Sequence, residues 1–75
     1  MIDSKVFSYP VDDACLLVAR EAIKSCRRLG DFDSATSRLL DIRAIVHLSL
    51  GQAHPLYSLI DAAIDSIINK KWPEL

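Results

Sequence analysis

The sequence predicts an all-α protein, a small three-helix bundle built from an antiparallel helical hairpin plus a third helix. Three observations carry this expectation. The first is the run LLDIRAIVHLSL at 39–50, apolar at Leu39, Leu40, Ile42, Ala44, Ile45, Val46, Leu48 and Leu50. A one-sided helix needs about three apolar positions in seven. This run exceeds that without the strict alternation of a strand, so it reads as a middle helix covered on more than one side. The second is punctuation: Pro10, Gly30, Gly51, Pro55 and Pro73 divide the chain into three helix-length segments. The third is size. Seventy-five residues, 51% of them apolar, make one domain near the lower limit for an independent core.

The elements follow in order. Residues 1–10 carry no helical period and read as an N-terminal arm, with Val6, Phe7 and Tyr9 able to dock on the bundle. A single helical domain spans 11–75. Its first helix is expected over 11–29. Pro10 suits a first helical turn, where its missing N–H costs nothing, and Asp12 and Asp13 favour the positive end of the helix dipole. Cys15, Val18, Ala19, Ala22, Ile23, Cys26 and Leu29 form its apolar stripe. Lys24, Arg27 and Arg28 crowd the end that prefers cations, and Gly30 suits the left-handed residue that follows a helix.

Asp31 or Asp33 is the expected cap of a second helix over 32–50, with Phe32 between them to staple the turn. So short a connection favours an antiparallel hairpin. Gly51 stops this helix, and Pro55 opens a third over 55–70. Leu56, Leu59, Ile60, Ala63, Ile64, Ile67 and Ile68 form its stripe, and Asp61 and Asp65 lie on its wet side. Lys70 and Lys71 close it, Pro73 prevents continuation, and Trp72 is expected to fold back on a helix end.

Charge is balanced, nine Lys and Arg against ten Asp and Glu. Nothing in that balance suggests a strong field for nucleic acid. No apolar run approaches the roughly 20 residues of a membrane span. MIDSKVFSYP lacks the charged and apolar regions of a signal peptide, so the expected compartment is cytoplasmic and no membrane contact is expected. Cys15 and Cys26 lie three turns apart on one helix, about 16 Å along its axis. A disulfide needs Cα atoms within about 7 Å. They are expected to be two small buried thiols.

The stretch CRRLGDFDSATSRLL at 26–40 resembles two known units. Gly30, Asp31, Phe32 and Ala35 match the G-D-[YF]-x-x-A turn of a tetratricopeptide hairpin. That resemblance implies a protein-interaction unit. Ile23 replaces the small residue usual in the first helix, and no proline follows the second. The same stretch resembles a helix-turn-helix, with Cys26 at the small buried position, Leu29 and Gly30 at the turn, and Ser37, Arg38 and Leu39 in the recognition helix. That resemblance implies that Ser34, Ser37 and Arg38 face a DNA groove; the basic cluster Lys24, Arg27 and Arg28 is by itself a candidate for holding a phosphate, as of DNA, or an acidic partner, beside its role at the helix end. Asp31, Asp33 and Asp41 share the start of the recognition helix, and phosphates repel carboxylates.

No pattern for catalysis, a cofactor or a metal stands out. His47 sits among apolar residues and His54 precedes Pro55, with no ligand spacing between them. Asp61 and Asp65, four apart on an exposed face, read as solvated surface. No small-molecule substrate is expected. The apolar excess points instead to a non-enzymatic protein-binding module, an adaptor, inhibitor or regulator acting as a homodimer or in a heteromeric complex. The central helix has two apolar stripes, Leu39/Ile42/Val46 and Leu40/Ala44/Leu48, that cannot both face two neighbours. Leu40, Ala44 and Leu48 are the expected partner-binding residues. The alternative is a small DNA-binding regulator turning at Gly30. Near-antiparallel packing of the first two helices fits the former, and a crossing of about 90–120° the latter.

Overall fold

A computed structural model describes residues 11–75, and the arm expected over 1–10, Pro10 included, lies outside them. Three helices follow one another: α1 over Val11–Leu29, α2 over Phe32–Leu50 and α3 over Pro55–Ile68. The chain is a small all-α bundle. α2 is the middle helix, packed closely against both α1 and α3, which meet each other at only a few residues.

One spacing builds the core. The buried residues include Cys15, Ala19, Ala22 and Cys26 in α1, Ala35, Leu39, Ile42 and Val46 in α2, and Leu56, Ile60, Ala63 and Ile67 in α3. Each set steps by four, three and four, the seam of helices packed side by side. Ile23 and Ile64 add to it, and all but Ala22 join one contiguous cluster. The stripe of α1 consists of small residues. It lets the α2 axis approach closely, so Leu39 and Val46 are fully enclosed.

The helix ends are set locally. After α1, Gly30 has φ +67°. Its N–H reaches the Arg27 carbonyl at 3.1 Å, and the Asp31 N–H reaches the Cys26 carbonyl at 2.9 Å. These are the two bonds of a Schellman motif. Asp31, not Asp33, then caps α2, its carboxylate accepting from the Ser34 N–H at 3.0 Å and the Ser34 hydroxyl at 2.6 Å. His54 caps α3 through Nδ1, which accepts from the Leu56 N–H at 3.0 Å. α3 ends at Ile68, two residues before the expected boundary. Lys70 takes φ +62° there and closes a second Schellman motif, with Lys70 N–H on Ile67 and Lys71 N–H on Ser66.

Four residues assigned to buried stripes are exposed: Val18, Leu29 (77%), Leu59 and Ile68. Each flanks the seam. A helix that meets its neighbours along one narrow seam leaves the edges of a broad apolar face wet. Trp72 does fold back, its ring stacked on Phe32 with centroids 4.3 Å apart. The chain then returns to α1, where Arg20 Nε donates to the Leu75 carbonyl oxygen at 2.6 Å.

Candidate functional site

α2 carries the candidate face because the bundle uses only one of its stripes. With Ala35, Leu39, Ile42 and Val46 turned inward, a residue one position on is rotated by about 100° and one two positions on by about 200°, so Leu40, after Leu39, and Ala44 and Leu48, two past Ile42 and Val46, leave the core. Leu40 is 41% exposed, Ala44 is exposed, and Leu48 is 84% exposed. The three stand on successive turns, one above another.

They border a groove between α2 and α3. Leu40, Ala44 and Leu48 line a hollow of about 380 Å³ with Tyr57 as its far wall. Leu40 also lines the next hollow, about 400 Å³, closed by Ile67 and Ile68. The rim is pinned. Arg43 donates to Asp61 at 2.6 Å and lies 5.9 Å from the Tyr57 ring centroid. His47 tilts against the same ring at 5.9 Å. Asp61 is therefore tied to α2 rather than simply solvated, whereas Asp65 is exposed. His47–Tyr57, Arg43–Asp61 and Phe32–Trp72 step back along α2 by the interval they step forward along the chain that follows, the register of an antiparallel pair.

A second groove, about 520 Å³, lies between α1 and α2. Val18 and Ala22 face Ile42 and Ile45 across it, with Glu21, Arg38 and Asp41 on its rim. The two helices share this groove and the core over several turns, as the antiparallel neighbours of a hairpin do.

The residues of the DNA-binding alternative are not brought together. Lys24, Arg27 and Arg28 line a cleft between α1 and residues 73–75, and Arg20 joins them. Arg38 lines the α1–α2 groove, and Ser37 borders the α2–α3 groove. The Ser34 hydroxyl is bonded to Asp31. Arg20 was not singled out in the sequence because it lies outside the last turn of α1. Its membership depends on where the segment after α3 returns.

Two groups have shifted titration. The Asp31 carboxyl is held below its ordinary range, first by the Ser34 hydroxyl and then by the Ser34 N–H. Burial pushes the Cys15 thiol up, and the Asp12 carboxylate adds to the shift. Cys15 and Cys26 are both free and buried. Among the described residues no group of three or more His, Cys, Asp or Glu side chains could hold a metal ion. No helix among them is long and apolar enough to cross a membrane. No protein-family model, curated protein or solved structure matches the chain.

Proposed function

We propose that the chain is a non-enzymatic protein-binding module of the cytoplasm that assembles through the outer face of α2. A second copy of itself is the first partner. One observation carries the reading: α2 has a complete buried stripe and, beside it, three exposed apolar residues on successive turns, Leu48 the barest at 84%. Burying apolar surface contributes about 25 cal/mol per Å², so one well-covered leucine is worth about 1.5–3 kcal/mol. An exposed ion pair contributes about 0–1 kcal/mol and weakens with salt. On magnitudes the apolar face outweighs the charges around it. In a two-fold dimer each such residue counts twice.

The DNA-binding alternative is less supported. Its residues are divided among three surfaces, and a recognition helix needs its base-reading and phosphate-holding side chains on one side. Light scattering at micromolar concentration tests the proposal. The wild type should exceed the 8.4 kDa of one chain by at least twofold. Leu48→Asp should return it to one chain with helical circular dichroism retained. Arg27→Glu with Arg28→Glu should leave assembly unchanged. A wild type that is monomeric and binds no hydrophobic dye would overturn the reading.

A further inference from the structure

The cleft beside α1 is a second surface, independent of the α2 face. It has a volume of about 360 Å³. Arg20, Lys24, Arg27 and Arg28 line one side, and the segment after α3 lines the other. The four cations fall on adjacent turns of one helix flank, at positions i, i+4, i+7 and i+8. The chain as a whole has a formal net charge of −1, so this is a local concentration.

The helix dipole does not explain it. Arg27 and Arg28 occupy the last turn of α1, where cations are favoured. That effect fades beyond the final turn, and Arg20 and Lys24 lie outside it. Like charges at this spacing repel one another. No side-chain carboxylate offsets them at ion-pair distance, since the sole salt bridge among the described residues joins Arg43 to Asp61, and only Arg20 is engaged, by the Leu75 main-chain oxygen. Glu74 is the one acid in the cleft wall.

The cleft is not purely polar. Ile23 and Leu75 contribute apolar surface, and Leu75 packs against the core. Its main-chain oxygen is already held by Arg20 Nε.

We propose that this cleft binds an acidic peptide segment whose carboxylates flank an apolar residue. The cations are spread over about 12 Å of helix rather than converging on a point, which suits a line of charges more than a single anion. The apolar patch favours a peptide over a phosphate chain, which has no side chain to cover it.

Fluorescence anisotropy with a dye-labelled synthetic peptide alternating Glu and Leu tests this on the full chain. Matched Gln/Leu and Glu/Ser peptides and a short DNA duplex serve as comparisons. The Glu/Leu peptide should bind tightest and weaken as salt rises. Lys24→Glu with Arg28→Glu, both exposed positions, should weaken it about tenfold, the loss expected for two exposed ion pairs. Glu74→Gln should tighten it. Binding of the Gln/Leu peptide at equal strength, tighter binding of the duplex, indifference to the charge reversals, or no binding of the Glu/Leu peptide would each overturn the proposal.

Discussion

Phe32 and Trp72 stack with their planes 19° apart, joining the first residue of α2 to the segment that follows α3. Lys70 Nζ stands 5.1 Å from the same Phe32 ring. The stack closes the antiparallel ladder that begins at His47 and Tyr57, and it sets the direction in which residues 73–75 return toward α1.

Trp72→Ala should therefore destabilise the bundle by about 1–3 kcal/mol, from lost apolar area and the lost aromatic pair. Trp72→Phe should recover most of that. Trp72 is the sole tryptophan, so its fluorescence reports on this contact directly. Urea titration followed by fluorescence and by circular dichroism checks both points. A tryptophan spectrum that is fully water-exposed in the native protein contradicts the stack.

The Arg43–Asp61 pair should contribute little despite its 2.6 Å contact. Its side chains are 32% and 49% exposed, so solvent screens the attraction. A double-mutant cycle of Arg43→Ala and Asp61→Ala should give a coupling of about 0.2–1 kcal/mol. The coupling should shrink in about 1 M salt. A larger, salt-insensitive value means that the pair is desolvated more than its exposure indicates.

Asp31 links stability to acid. Its folded-state carboxyl lies below the ordinary 3.8, held first by the Ser34 hydroxyl. A depressed carboxyl contributes stability that is present above its unfolded value and is lost as pH falls through the folded value. Asp31→Asn keeps a cap acceptor but has no charge to lose. The wild-type advantage in melting temperature over Asp31→Asn should shrink as pH falls from about 7 to about 2. An unchanging gap across that range rules out the linkage.

The Cys15 thiol behaves in the opposite sense. Burial raises the Cys15 thiol above 9.0, with Asp12 adding to the effect. A raised value contributes stability that is complete below the unfolded value and is lost as pH rises through the folded one. Alkaline destabilisation should be smaller in Cys15→Ala. Both cysteines should alkylate slowly in the native state and quickly in denaturant. Cys26→Ser should cost about 1–3 kcal/mol by placing a hydroxyl in the core. Rapid native labelling of Cys26 would falsify its core position.

Local chemistry was enough to read the helices and their ends. Gly30, Asp31, Gly51 and Pro55 act on the backbone within a few residues, so their effects do not wait for the rest of the fold. The buried sets at 15–26, 35–46 and 56–67 were also legible, because side chains four and three apart share one face of any helix. What the sequence alone could not decide was how wide each buried face is. Val18 and Ile23 are both apolar and flank the seam of α1, yet only Ile23 is covered. That difference depends on where the rest of the chain packs, since Ile23 lies beside residues 73–75. The cationic cleft is likewise tertiary. Three of its four cations stand out in the sequence at the end of α1, but Arg20 and the Pro73–Leu75 wall meet only when Trp72 stacks on Phe32 and turns the chain back. Contacts across 55 residues of sequence, such as Arg20 to Leu75, leave no periodic trace in composition or spacing, because packing rather than local geometry selects them.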